Sequence, residues 1–518
     1  MPSYQSPGVY VEEVAAGARP LEGVGTAVAA FVGLAEDGLF NTPTLVSNWT
    51  QFTNSFGGFV EGSYLAQSVY GYFMNGGGNC YVVRIGQTGP AAGSNGRSAR
   101  AKEIAAAPTA QLGRIRVQAL DAASGAGEIT VEVTDAGGDA PTEDMFKLVV
   151  KRNGEVVEEY DRATLGKGKQ NVVTMVNAVS KVVRLEETAT GGLERPAPGE
   201  TALGAPPAPA AVPSVRLSAD DYVGDVAERT GFAGLEAVEE VTMLCVPDLM
   251  SAYQQGAIDL DTVQAVQAAM IAHCELMGDR IAILDPPPGF NAQQIREWRV
   301  DRARYDSMYA ALYWPWVKTM NPATGMLSFL PPSGHVAGVW GRNDDERGVH
   351  KAPANEIVRG AIDLEIQLTR NEHDLLNPVG INCIRAFPGR GIRIWGARTL
   401  SSDPAWRYLN VRRLFNFLEE SILEGTNWVV FEPNDAALWA KIRRTIAAFL
   451  VMQWRAGALF GSTPDEAFYV KCDSETNPSE AIDAGQVLCE IGVAPVKPAE
   501  FVIFRLAQFS GGTSLVSE

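Results

Sequence analysis

The stretch 377–434 limits this chain more than any other, because it reads as strand, tight turn, strand, capped helix and strand in one run. Cys383-Ile384-Arg385-Ala386-Phe387 is a short mixed segment, broken by Pro388-Gly389-Arg390-Gly391. Ile392-Arg393-Ile394-Trp395 alternates apolar with polar, the period of a strand with one covered face. Asp403 sets a capping carboxylate before Pro404, and proline suits the first helical position. Val411, Leu414, Phe415, Leu418 and Ile422 follow at offsets of 3, 4, 7 and 11 from the first, a single helical stripe. Gly425 is placed to stop that helix, and Trp428-Val429-Val430-Phe431 reads as a buried returning strand. The run specifies a core module and carries no catalytic signature.

A chain of 518 residues is too long for one compact core, so roughly two to four domains are expected. Upstream, Ala27–Leu34 is a continuous apolar run, as in a strand buried on both faces. Leu65, Val69, Tyr72 and Phe73 form one helical stripe, and Cys80–Ile85 is another strand. Glu240–Val246, a helix through Ile258, Val263, Val266, Ala269, Met270 and His273, and Arg280–Leu284 make a right-handed parallel strand–helix–strand unit. A third helix over 291–305 and a strand over 309–317 continue it. Residues 21–86 and 219–375 therefore read as one α/β domain interrupted by an insertion.

Within that insertion, 114–120, 128–134, 145–151 and 155–160 are strand candidates, and Asn153-Gly154 is a two-residue hairpin turn. Asn171–Leu185 is β-branched yet spaced like a helix, which leaves its state open. We take 87–190 as a mostly β inserted domain and 191–218, rich in Pro and Ala, as a semi-extended linker. Asp435 caps a long helix through Arg455, followed by strands over 468–472 and 487–493, so 376–499 forms a C-terminal α+β domain.

Both ends are unlike a core. In 1–20, Val9-Tyr10-Val11-Glu12 is a short strand-like run, and an isolated strand needs a sheet edge to join. In 500–518, Phe501-Val502-Ile503-Phe504 and Leu506 begin a β-prone final strand that requires a partner. A frayed terminus competes, at the N-terminal end, with an arm that adds a strand to a neighbouring subunit.

The formal charge of −18 opposes general nucleic-acid binding, since phosphates would go unneutralised, and it permits a basic protein partner. No apolar run approaches the roughly 18 residues of a membrane span, so no membrane insertion is expected. The N-terminus lacks a basic-then-apolar leader pattern. The six cysteines are scattered, without a Cys-x-x-Cys pair, and read as reduced thiols. Asn75-Gly76-Gly77-Gly78 follows a helix and precedes a strand, the reverse of a phosphate loop's order. His273 and Cys274 point apart on a helix, and His335 and His350 lack ligands at metal spacing. Glu372-His373-Asp374 reads as a solvated helix end. Catalytic, cofactor and metal sites are therefore expected to be absent. In the 404–424 helix, Arg407, Arg412 and Arg413 precede Glu419, Glu420 and Glu424, an order that opposes the helix dipole. Either surface charges tolerate it, or the carboxylate end meets a basic partner.

Three stretches resemble a known family: YQSPGVYVEEV near the N-terminus, Pro331–Glu356 (PPSGHVAGVWGRNDDERGVHKAPANE) and 377–434. They are similar to contractile tail sheath proteins of phage tails, R-type pyocins and extracellular contractile injection systems. The likeness covers both ends and most of the chain from about Ser214, and leaves out the insertion. It implies a subtilisin-like α/β core without the catalytic triad and a C-terminal domain facing an inner tube. It also implies terminal arms exchanged between subunits, at Val9, Tyr10, Val11, Glu12, Phe501, Val502, Ile503, Phe504 and Leu506. Glu419, Glu420 and Glu424 become candidates for contact with the tube. The implied partners are further copies in helically stacked hexameric rings, an inner tube protein, and baseplate and terminator proteins, with no cofactor. Assembly would occur in the producing cytoplasm, as part of a tail or tail-like particle. An α/β enzyme with an unrecognised site and a static tube or baseplate component are the alternatives.

Overall fold

The computed structural model describes residues 21–86, most of 109–203, and 218–505 apart from 323. Val9, Tyr10, Val11, Glu12 and Leu506 lie outside the described residues, as does most of the expected linker. The chain divides into two compact units, residues 1–88 with 216–518, and residues 89–215.

The first unit is built on a nine-stranded sheet. Its order is Glu356–Ile357, Gly391–Ile394, Ile381–Phe387, Ala310–Trp314, Ile281–Leu284, Met243–Cys245, Ala29–Gly33, Cys80–Arg84 and Thr44–Val46. The strands from Ile381–Phe387 to Cys80–Arg84 run parallel; the outer ones are antiparallel. Side chains alternate between two apolar layers, as pleating requires. Ala30, Val32, Leu244, Leu284, Leu312 and Trp314 face one, with Val263, Val266 and Met270 of the helix Leu260–Met277. Ala29, Phe31, Met243, Ile283 and Tyr313 face the other, with helices Leu65–Met74 and Ser333–Arg347. Covered on both faces, these strands must be apolar throughout, which is why 27–34 carries no polar alternation.

The glycines of the 331–356 motif follow from this packing. A Cβ on Gly334 would lie 2.4 Å from the Ser68 carbonyl oxygen, and one on Gly338 would lie 2.3 Å from that of Tyr72. Helix 333–347 therefore packs backbone to backbone on helix 65–74, an approach that no side chain permits.

Several expectations change. The hairpin 381–394 completes the sheet rather than opening a separate domain, so the expected boundary at 375/376 falls inside one layer. The helix expected from Pro404 begins at Leu409, because Asp403 accepts from the Ala405 N–H at 2.8 Å and closes a local turn instead. Trp428–Phe431 is not a strand: a 3-10 turn spans Asn427–Val429, and Phe431 is fully exposed with φ 69°. Sandwiched between helices Leu409–Thr426 and Ala436–Arg455, it has no strand edge to join. Asp435 caps the second helix, accepting from the Ala437 and Leu438 N–H groups at 3.0 and 2.8 Å. The hairpin of Phe468–Lys471 with Glu490–Val493 packs against that helix. The expected final strand is unpaired over 501–505.

The second unit has a four-stranded antiparallel sheet, Gly199–Ala202, Ile129–Asp135, Phe146–Arg152 and Glu155–Ala163, and a three-stranded one, Thr109–Leu112, Ile115–Ala119 and Val183–Glu187. Arg152 pairs with Glu155, and Gly154 between them has φ 83°. The open segment 171–185 resolves as a helix, Val172–Val179, then a strand; Asn171 caps the helix by accepting from the Thr174 N–H at 3.0 Å.

Candidate functional site

In open parallel sheets a ligand crevice forms where the strand order reverses, at the carboxyl ends of the strands. Here that point lies between Ala29–Gly33 and Met243–Cys245. It is filled by the buried side chain of Asp248. Its carboxylate accepts from the N–H groups of Leu34 (2.6 Å), Tyr64 and Leu65 (3.1 Å), and from the Ser63 hydroxyl (2.9 Å). The anion that such a crevice usually takes from solution is supplied by the chain, at the start of helix 65–74. Asp285, at the end of the next strand, accepts from the Ser333 N–H (2.8 Å) and hydroxyl (2.6 Å), which ties down the start of helix 333–347. His335, two residues on, packs its ring against Gly71, and its Nδ1 has no partner among the described residues. Burial holds it low, at about 4. The fold brings Ser333 to Asp285 across 48 residues of sequence, but serine, histidine and aspartate form no relay among the described residues: Ser333 donates to Asp285 and leaves His335 out.

Burial pushes Asp248 up to about 6 and Asp285 up to about 7, against the pull of their hydrogen bonds. For Asp285 the folded value exceeds the unfolded value of 3.8, so folding takes up a proton between about 3.8 and about 7. That contribution favours the native state at acid pH and is lost as pH rises through 7. Asp285→Asn removes the titration, and denaturant midpoints measured across this window will fall less steeply with pH than in the parent chain. An unchanged slope contradicts the assignment.

The helix Leu409–Thr426 places its charges differently from the dipole argument. Arg412 and Arg413 are buried. Arg412 donates to Asn416 Oδ1 at 2.7 Å and Glu419 at 2.9 Å, and lies over the Trp406 ring at 4.6 Å. Arg413 forks onto Asp344 at 2.9 and 2.6 Å and donates to the Thr26 carbonyl at 3.0 Å. These arginines brace the helix against its neighbours rather than sitting as free charges at its N-terminal end. Of the three carboxylates singled out, Glu419 is turned to Arg412. Glu420 and Glu424 line a crevice of about 360 Å3 with Glu239, Glu240 and Asp279. Burial, then Asp279 and Glu424, pushes Glu420 up.

The C-terminal segment is strapped across the core. Asn410 Nδ2 donates to the Val496 carbonyl at 3.1 Å. The half-buried Glu500 then accepts from Arg398 Nε (2.9 Å), Arg398 Nη2 (2.6 Å), Asn377 Nδ2 (2.8 Å) and the Tyr408 hydroxyl (3.3 Å). Directly beyond this clamp Phe501, Val502, Ile503 and Phe504 are 71, 67, 78 and 85% exposed. Four consecutive large apolar side chains in water are what a partner surface displays. The Asp248 cage, the Arg413–Asp344 pair and the Glu500 clamp were missed by sequence reasoning. The available signal for the first was an aspartate just past an apolar strand, at 248 after Val246-Pro247 and again at 285.

The first unit is thus a doubly wound α/β sheet whose crevice holds one of its own carboxylates, followed beyond the Glu500 clamp by an exposed apolar run. Residues 218–400 match the phage tail sheath protein central domain and residues 401–509 the phage tail sheath C-terminal domain. The chain belongs to the phage tail sheath family. It is 26% identical over 54% of its length to the tail sheath protein of Vibrio phage KVP40 and spans 41% of that protein. With the tail sheath protein of Escherichia phage P2 it shares 24% identity, over 72% of this chain and 87% of the other. The anti-feeding prophage helical sheath in its contracted state has the same fold, with a TM-score of 0.58, 24% identity, and coverage of 98% of this chain and 100% of that one.

Proposed function

We propose that this chain is the subunit of a contractile sheath: copies stack helically as hexameric rings around an inner tube and shorten to drive the tube through a target envelope. The observation that carries the reading is the exposed run Phe501–Phe504 leaving a fixed point at Glu500, in a chain of the tail sheath family. The run would pair as a strand with a neighbouring copy, as would Val9–Glu12, so contacts run head to tail and build rings or helices. Among the described residues the hairpin 468–471/490–493 has two strands, and its outer edges would receive such arms. Work comes from the difference between two packings of one lattice, with the arms as hinges, and requires no cofactor or catalysis. The core would be subtilisin-like without its catalytic machinery, and 87–190 would sit outside the lattice.

Glu420 and Glu424 would meet a basic surface of the tube, with Glu419 at the edge of that contact. Baseplate and terminator proteins would hold the extended state, and the particle would assemble in the producing cytoplasm. Among the described residues no helix is long and apolar enough to cross a membrane. Electron microscopy of the purified chain tests the reading: hollow striated cylinders support it, and monodisperse globular particles under all conditions oppose it.

A further inference from the structure

The hairpin beside helix Ala436–Arg455 carries two cysteines that face each other. Phe468–Lys471 and Glu490–Val493 pair antiparallel, with Lys471 opposite Glu490. One step further in the same register Cys472 stands opposite Cys489, and their thiols lie within hydrogen-bonding reach of each other. Directly opposite residues of an antiparallel pair hold their Cβ atoms about 4.5–5.5 Å apart, and a disulfide spans roughly 3.5–4.5 Å, so a small shift joins them. The pair is held from both sides. Arg443 Nη1, on the helix, donates to the Cys472 carbonyl at 2.7 Å. The buried Asn477 donates to the Leu488 carbonyl at 3.0 Å and accepts from the Leu488 N–H at 2.6 Å, which fixes the residue before Cys489. Its Nδ2 also lies 3.9 Å from the Cys472 sulfur. Cys489 is partly exposed and Cys472 is buried, so one sulfur meets the solvent and the other waits beneath it. The remaining four cysteines are buried, and Cys80 and Cys245 lie on strands either side of Ala29–Gly33, roughly 10 Å apart across the sheet.

We propose that Cys472 and Cys489 form a redox site, which a small-molecule disulfide oxidises to an intramolecular link that staples the hairpin. The Cys489 thiolate attacks one sulfur of the oxidant, whose S–S bond breaks, and the first small thiol leaves with the proton that Cys489 gave up. Cys472 then attacks the Cys489 sulfur of the mixed disulfide, and the second small thiol leaves with the Cys472 proton. Two electrons have then passed from the cysteine pair to the oxidant. Burial, and after it the neighbouring Cys472, pushes the Cys489 thiol up to about 12, so little thiolate is present at neutral pH and closure is slow. Once formed, the link ties the two ends of the 472–489 segment and restricts that segment in the unfolded chain. A subunit made in a reducing cytoplasm and carried outside the cell would meet its oxidant only after assembly, and the staple would then cross the sheet whose edges take the arms. That consequence rests on the sheath reading; the link itself does not.

The test treats the reduced, unassembled full chain with oxidised glutathione, then denatures and alkylates it for mass spectrometry. Two of the six cysteines become unavailable to the alkylating reagent, and the intact chain is lighter by two hydrogen atoms. A digest joins the peptides of Cys472 and Cys489, reduction separates them, and the linked chain melts at a higher temperature than the reduced one. Cys472→Ser stops at the mixed disulfide, with one glutathione retained on Cys489. Cys489→Ser spares the buried thiol, keeps the fold, and takes up neither link nor glutathione at Cys472. Alkylation of all six cysteines in the treated parent overturns the proposal, as does a link between two chains or a glutathione retained on the parent's Cys489. A linked chain that melts below the reduced one also overturns it, because the link is then forced on the hairpin. All of these outcomes are read before assembly, so they strike the redox site alone. A chain that closes as described and never forms cylinders upholds the site and strikes the sheath reading.

Discussion

Removal of Phe501–Glu518 is expected to cut polymerisation more than about tenfold and to leave the monomer folded. The clamp shows why the two effects separate. Glu500 keeps its bonds to Arg398, Asn377 and Tyr408, so the strap from Val496 onward stays in place. The described part of the deleted segment is exposed and unpaired, and removing such surface changes stability by no more than about 0.5 kcal/mol. On the proposed arm reading, assembly would in contrast lose a strand's main-chain pairing and four apolar anchors from every subunit. Sedimentable polymer is expected to fall more than about tenfold, while thermal and denaturant midpoints hold. Sheaths of normal length from the truncated chain would sink the arm reading, and a loss of folding would show that the segment belongs to the core.

Arg413→Ala gives the largest expected loss of stability from a single substitution. The guanidinium is 4% exposed, the Asp344 carboxylate facing it is 4% exposed, and both hydrogen bonds of the fork are short. Arg413 also covers the Trp340 ring at 4.7 Å and holds the Thr26 carbonyl. Truncation leaves Asp344 buried and uncompensated, which costs about 3–5 kcal/mol. The exposed pair Arg302–Asp261, with side chains 45 and 78% exposed, is the control, and Arg302→Ala should cost less than about 1 kcal/mol. Equal shifts in denaturant midpoint for the two variants would show that Arg413 does not brace the three segments it touches. The pair joins helix 409–426 to helix 333–347, and Arg413 also holds the chain at Thr26.

What was legible in the sequence is what local pattern determines. The unbroken apolar run at 27–34 required a strand covered on both faces, and it lies inside the sheet between Met243–Cys245 and Cys80–Arg84. The stripe Val411–Leu414–Leu418 faces inward, and Asp435 caps where its spacing placed it. What was not legible depends on partners far along the chain. Asp248 caps amides more than 180 residues away, and nothing near it announces them. Asp403-Pro404 has the form of a helix start, but the chain is held in a loop by the pairing of Arg398 with Tyr408 and by the Thr399 hydroxyl on the Trp406 carbonyl. Trp428–Phe431 is β-prone and still turns, since two helices take both of its ends. Arg412 and Arg413 looked misplaced against the helix dipole because their acceptors, Glu419 and Asp344, could not be assigned from spacing alone. The terminal run 501–504 was legible as unpaired, and in the described residues it remains so.

The central claim is that one chain packs in two lattices. Electron microscopy of the assembled chain with its inner tube, before and after a contraction stimulus such as mild denaturant, tests this most directly. The account predicts striated cylinders of two kinds, long and narrow or short and wide, built from the same subunit fold with altered contacts between subunits. Cylinders of a single length and width under every condition, or a chain that never assembles, would contradict it.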